Sequence, residues 1–372
     1  MTFELTVGDL DDLVRGAALL GTGGGGDPQI GRTLVAEALG ETGTITVLDP
    51  DDLGPGDFVI PTALMGAPSV LVERLPRGSE PVDALRALES FAGRPATATM
   101  PIESGGINST IPLFVAARTG MPVVDADGMG RAFPELQMET FAVYGVTGSP
   151  LAIADERGHT AIISTGGDNK KMETWARALT IRMGGVGYIA EYGMDGDAVR
   201  RTAIPRTLSL ALLLGRTIRG AREAHRDPVD ALSEALASTL YERGEVIFTG
   251  KVVDVDRRTA GGFTRGTARI ADFGAGSHCV IDFQNEYLIA RVDGVTRVLV
   301  PDLITILHLE TGEPITAESL RFGQRVRVFA ISTPAMMRTP EALAVFGPAA
   351  FGLAEGFVPF ERLATRAGES HV

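Results

Sequence analysis

The chain has 372 residues, 44% hydrophobic and 22% charged, a balance typical of folded proteins and a length that accommodates two or three domains. Its formal charge of −13 argues against nucleic acid and anionic membranes as partners, and a single cysteine, Cys279, leaves no intrachain disulfide. The opening MTFELTVGDL has neither a basic nor an apolar signal region, and the apolar run at 208–215 is far short of the ~20 residues of a membrane span, so a soluble, cytoplasmic protein is expected.

Residues 1–167 alternate between helix and strand patterns. VGDLDDLVRGAALLG reads as a helix: Asp9 caps it, Leu10, Leu13, Ala17 and Leu20 share one face, and Gly21 stops it. After a run of glycines, Asp27 and Pro28 open a second helix, DPQIGRTLVAEALGE. Strands TITVLDP and GDFVIPTALMG, helix EPVDALRALESFAG, strand RPATATMPIE, helix NSTIPLFVAARTG and strand MPVVDAD follow. That alternation implies an α/β domain with a mostly parallel sheet covered on both faces. GSPLAIADERGHTAIIST breaks the pattern and reads as a hairpin around an Asp-Glu-Arg-Gly turn. Residues 168–243 read as mainly helical. From 244 to about 333 the period becomes two, with frequent Gly and Asp turns, which points to an all-β barrel or sandwich. The tail EALAVFGPAAFGLAEGFVPFERL reads as a strap packing back across the protein. The expected domains are therefore 1–167 and 168–372.

The glycine run GTGGGG fits the dinucleotide pattern G-x-G-x-x-G through Gly21, Gly23 and Gly26. That motif works only with a strand immediately before it, and here a helix precedes; a phosphate loop also needs a Gly-Lys-Ser/Thr ending that is missing. Two readings remain. The loop, with Gly23, Gly24 and Gly25 closed by Asp27, presents backbone N–H groups to an anion or a carbonyl, or else it marks a helix crossing that admits no Cβ. The density of glycines favours the ligand-facing reading.

In MPIESGGINST, Glu103 falls at the carboxyl end of a strand, and Asn108 opens a helix; ligands of parallel α/β sheets bind at such ends, although Asn108 is also an ordinary cap. VVDADGMGRAFPELQM is denser still. Asp125 and Asp127 share a face if the chain stays extended, with Arg131, Glu135 and Gln137 close behind. Paired carboxylates suit a metal or a shared proton; alternatively, Asp125 caps a turn and Arg131 pairs with Glu135. In the β region GSHCVIDFQNEYLIA combines His278, Cys279, Asp282, Asn285 and Glu286. His278 and Cys279, as neighbours in a strand, face opposite sides, and no standard metal-ligand spacing occurs. Cys279 reads as a buried structural thiol or as a nucleophile beside a histidine, and His159, His225 and His308 as surface residues.

ALLGTGGGGDP, IESGGINS, VDADGMGRAFPELQM, IDFQNEYLIA…PDLI and FGPAAFG together resemble the S-methyl thiohydantoin desulfurase family, in order, from about residue 9 to 352. The resemblance implies a three-layer α/β domain followed by helices and a β-barrel. It also implies hydrolytic removal of a sulfur group from a thiohydantoin-type ring. On that reading Asp125 or Asp127 activates water, Glu103 is the opposing acid, and Asn108 and Gln137 hold the ring amide. Gly23, Gly24 and Gly25 give backbone donors, with Asp27 and Glu135 at the substrate. Arg131 takes a substrate carboxylate, and His278 and Asp282 close the site. Zinc, also implied, would draw on Asp127 and His278. One departure stands in FGPAAFG, where the family pattern leads us to expect an Arg between Pro348 and Phe351. The rival readings are a hydantoin or lactam amidohydrolase, needing the same carboxylates, and a non-catalytic binding subunit. The expected partner is a small heterocyclic molecule, with further copies of the chain as an option.

Overall fold

A computed structural model describes residues 1–40, 43–66, 77–260, 263–274 and 276–363. The end of the expected tail, 364–372, lies outside the described residues. The first half contributes β1 (Phe3–Thr6), β2 (Thr44–Leu48), β3 (Phe58–Gly66), β4 (Ala98–Met100), β5 (Val123–Val124), β6 (Ala126–Asp127), β7 (Leu151–Ala154) and β8 (Thr160–Ile163). β9 (Val186–Ala190), β10 (Met194–Asp195) and β11 (Ile204–Pro205) follow. One sheet runs β1-β2-β5-β4-β3-β9-β7-β8, with β10 also on β3, while β6 and β11 form a separate antiparallel pair.

The sheet is mixed rather than mostly parallel. Only the β2–β5, β5–β4 and β4–β3 ladders are parallel among the described residues. β9 closes antiparallel on β3 and carries the β7–β8 hairpin beyond it. β9 also corrects the helical reading of 168–243: its VGYIA run is short and follows two glycines, too little for period two to announce itself. β3 behaves as its unbroken apolar run requires, buried on both faces over all but its last residue.

The Leu10–Leu20 helix crosses the Thr207–Glu223 helix at backbone contact. A Cβ on Gly16 would sit 1.8 Å from the Ala211 carbonyl oxygen, and one on Gly215 1.8 Å from that of Asp12. The helices thus cross at Gly16 and Gly215, and the glycine run that follows makes a close contact of its own, since a Cβ on Gly106 would sit 2.1 Å from the Gly25 carbonyl oxygen. Leu13 and Leu20 share a core with Leu208, Leu303 and Phe329, so this crossing welds the two parts of the chain together.

The second sheet holds β12 (Gly244–Ala260), β13 (Phe263–Ala271), β14 (His278–Gln284), β15 (Glu286–Val292), β16 (Val295–Leu299), β17 (Leu303–His308), β18 (Pro314–Ile315) and β19 (Arg325–Ile331). All its ladders are antiparallel, in the order β16-β15-β14-β13-β12-β19-β17-β18. It curls until β15 lies beside β17, yet among the described residues no ladder joins those strands, so the expected barrel is present only as a curled sheet. The tail returns to the first module, where Phe346 stacks on Phe133 at 5.0 Å and Phe351 follows at 6.4 Å. Among the described residues no helix is long and apolar enough to cross a membrane.

Candidate functional site

A cavity of about 180 Å³ opens where the glycine loop meets the second sheet. Gly23 to Gly26, Glu103 and Asn108 line it from the first module; Thr264, Asn285 and Glu286 line it from the second. The loop needs its glycines for two reasons. Gly23, Gly25 and Gly26 take φ of 87°, 73° and 74°, where a side chain is strained. Gly24 needs room instead: a Cβ there would lie 2.1 Å from Glu286 Oε1.

Three of the loop's carbonyls are tied to the scaffold: Thr22 O accepts from Tyr287 N, Gly23 O from Ala317 N and Gly25 O from Ile107 N. The N–H groups of Gly23 and Gly26 have no acceptor among the described residues. A cavity wall with unmatched N–H donors attracts a carbonyl oxygen or an anion.

Two carboxyls line the same cavity. Glu103 is 4% exposed; its Oε1 accepts from Asn108 Nδ2 at 2.7 Å, and its Oε2 accepts no hydrogen bond among the described residues. Burial first, and the charge of Glu286 second, hold the Glu103 carboxyl well above the ordinary range. Asn108 is locked, since Leu64 N donates to its Oδ1 at 2.7 Å and Leu64 O accepts from its Nδ2 at 3.2 Å. It serves the β3 backbone beyond the end of the β4 ladder, and orients Glu103 with the same amide group.

Glu286 begins β15 directly after Asn285, whose φ of 58° turns the chain sharply between strands. Thr264 N donates to the Asn285 side-chain oxygen at 2.8 Å and fixes that turn. Glu286 is 2% exposed and its Oε2 is unmatched among the described residues. Burial pushes its carboxyl up to about 7, with Arg131 opposing. Sequence reading grouped Glu286 with its neighbours but did not single it out.

The other expected residues are distributed differently. Asp125 caps the Thr207–Glu223 helix, its carboxylate accepting from Leu208 N at 2.9 Å, Ser209 N at 3.0 Å and the Ser209 hydroxyl. Asp127 accepts from Ser104 N at 2.5 Å and Gly130 N at 3.0 Å behind Glu103, and burial lifts it to about 7. The strand breaks between β5 and β6, at Asp125, so these carboxylates have separate partners and neither lines the cavity. Arg131 is wholly buried with all five N–H groups engaged, by the carbonyls of Ala132, Pro301, Asp302 and Tyr287 and by Thr22 Oγ1. It therefore ties the modules together, with no donor left for a substrate carboxylate, and does not pair with Glu135.

Glu135 does reach the cavity, where Gln137 Nε2 and Lys170 Nζ each donate to its Oε2 at 2.5 Å. Gln137 itself lies off the wall. Asp27 caps the Pro28–Leu39 helix by accepting from Gln29 N at 2.9 Å, and Asp282 is bound by Thr267 at 2.9 Å and Arg291 at 2.8 Å; neither lines the cavity. Cys279 is buried with its thiol pushed up to about 12, which fits the structural reading.

The expected zinc ligands do not fit one ion. Asp127 is buried within its hydrogen bonds, whereas His278 is exposed on β14, and among the described residues no three His, Cys, Asp or Glu side chains converge as ligands. Two further glutamates are enclosed behind the cavity. No oxygen of Glu139 or Glu191 accepts a hydrogen bond among the described residues, and burial holds both carboxyls well above the ordinary range.

Residues 8–165 match the family described as S-Me-THD-like, N-terminal domain, and residues 167–360 match S-Me-THD-like, C-terminal domain. The chain belongs to the S-methyl thiohydantoin desulfurase-like family. No curated protein matches it. A crystal structure of a protein from Chromobacterium violaceum is similar at 25% identity and a TM-score of 0.81, covering 96% of this chain and 100% of its own. Membership in the family is consistent with a thiohydantoin-related enzyme.

Proposed function

We propose that the chain is a hydrolase that removes a sulfur substituent from a thiohydantoin-type five-membered ring. The observation that carries this reading is the Glu103–Glu286 pair, two buried carboxyls on one cavity wall, each with an oxygen unmatched among the described residues. Their neighbours differ. Glu103 sits beside the acids Glu286 and Asp127 and so keeps its proton, while Glu286 faces Arg131 and gives its proton up more readily.

In the proposed reaction the Glu286 carboxylate takes a proton from water as the water oxygen bonds to the ring carbon bearing sulfur. The Gly23 and Gly26 N–H groups take up the negative charge that develops on the ring. The carbon–sulfur bond then breaks, and Glu103 gives its proton to the departing thiolate. The proton left on the added oxygen moves to the ring nitrogen, so the product is a ring carbonyl with a ring N–H, and a free thiol. Passing the proton from Glu286 to Glu103 restores the starting state, so each cycle consumes one water and no other reagent.

The test is thiol release from an S-methyl thiohydantoin, with product mass confirming exchange of sulfur for oxygen. E103Q and E286Q are each expected to lose at least about 100-fold in kcat. Full turnover by either variant overturns the assignment. Ring opening without thiol would instead favour an amidohydrolase using the same carboxyls.

A further inference from the structure

Arg177 reaches the cavity wall from the Asn169–Arg182 helix of the first module. Three contacts fix its guanidinium. Glu173 accepts from Nε, the Pro134 carbonyl accepts from Nη2 at 2.8 Å, and the Phe263 ring of the second module lies 4.5 Å beneath. Nη1 has no acceptor among the described residues. On the same wall, Glu286 Oε2 has no donor among the described residues. Among the described lining residues Arg177 is the one cation, against Glu103, Glu135, Glu286 and Glu318, and Lys170 already serves Glu135.

Arg131 also acts on Glu286, but every one of its N–H groups is engaged elsewhere, so it contributes charge and cannot reorient. Arg177 is held as firmly, but it keeps Nη1 without an acceptor among the described residues. The groups facing Glu286 are then Arg131, Arg177, the Gly25 N–H and, as the opposing acid, Glu103. Glu173 pairs with Arg177 from the same helix turn and tempers its charge.

We infer that Arg177 is a positioning residue for Glu286: its guanidinium, on the same cavity wall, works with the buried charge of Arg131 to hold that carboxyl as the charged member of the Glu103–Glu286 pair. It thereby contributes to deciding which carboxyl accepts the proton from water and which donates one. The catalytic consequence rests on the acid–base reading given above; the electrostatic effect itself does not, and is measurable without turnover.

The experiment is an infrared titration of the carboxyl bands of the full-length protein carrying carbon-13 glutamate, with E286Q identifying the Glu286 band. R177Q is expected to raise the Glu286 midpoint by about one pH unit or more, since an opposite charge nearby has been removed. R177K is expected to leave it nearly in place. E173Q frees the guanidinium from its partner and is expected to lower the midpoint, so the inference stays testable if R177Q fails to fold. A midpoint that neither R177Q nor E173Q moves overturns it and leaves Arg177 as a helix pin against Pro134 and Phe263. In turnover, the acidic limb of kcat/KM should move with the infrared midpoint. Loss of turnover on every ring tested, with the midpoint shifts intact, would sink the proposed reaction alone.

Discussion

Glu286 enters the cavity through the space left by Gly24: its Oε1 occupies the spot 2.1 Å from where a Cβ at that position would stand. Gly24 has no positive φ, so alanine there meets no backbone strain, but the clash runs along the Glu286 side chain, whose Oε1, Cδ and Cγ would lie 2.1, 2.6 and 2.7 Å from the new Cβ. The whole side chain must turn away to make room, so G24A should fold with that carboxyl displaced. Displacement of a reacting group by about 1 Å costs on the order of 100-fold in rate, and that loss in kcat/KM is the expected outcome. G23A is the contrast, because φ of 87° and the Tyr287 ring 2.3 Å away leave neither backbone nor neighbour free to yield. Thermal unfolding should separate them: Tm modestly lowered for G24A, lowered much further for G23A.

The paired carboxyls set the pH profile. Glu286 must be ionised to take a proton from water, so activity should fall as pH drops below about 7. Glu103 must be protonated to give one, and burial with the Glu286 charge holds it well above the ordinary range. Activity should therefore fall again only on the alkaline side, giving a bell in kcat/KM. E103D keeps the acid but shortens it, and should reduce kcat while retaining the bell. A profile flat through pH 5–8 would remove Glu286 as the base.

Local patterns carried much of this fold and less of its site. The β3 run, the β7–β8 hairpin and the glycine loop were all visible in residue order, because each is set by neighbours a few positions away. Asp125 and Asp127 misled for the same reason. Alternation placed them together, but the N-terminus of a helix at Thr207 claims the first, and Ser104 and Gly130 claim the second. Arg131 likewise suggested a substrate anchor, yet its partners Thr22, Tyr287, Pro301 and Asp302 are distant in sequence. Glu103 and Asn108 were legible from their place at a strand end. Glu286 was not, since nothing near it reveals that β15 meets the glycine loop.

Because Arg131 serves five oxygens in the interior, its loss should appear as instability first. R131K keeps the charge but supplies three donors where five are engaged, leaving two acceptors unmatched. At roughly 1.5–3 kcal/mol for each hydrogen bond to a charged group, a loss of about 3–6 kcal/mol is expected. Urea unfolding should show it as a lower midpoint. A variant of undiminished stability that fails only on substrates bearing a carboxylate would restore the substrate-binding role expected from sequence.

Glu139 and Glu191 make stability itself depend on pH. Both carboxyls are raised well above the ordinary range by burial, with the Glu191 charge adding at Glu139 and the Glu173 charge at Glu191. The folded protein therefore keeps protons that the unfolded chain releases near pH ~4.3. The stabilising contribution of each group is fully present below that value. It is lost as pH rises toward the folded value, by about 1.4 kcal/mol per pH unit for each group. E139Q and E191Q keep the shape and remove the titration, so each should flatten the decline in unfolding free energy between pH 6 and 9. The double variant should flatten it further. Denaturant unfolding across that range is the measurement, and slopes unchanged from wild type would mean that these carboxyls are already ionised in the folded protein.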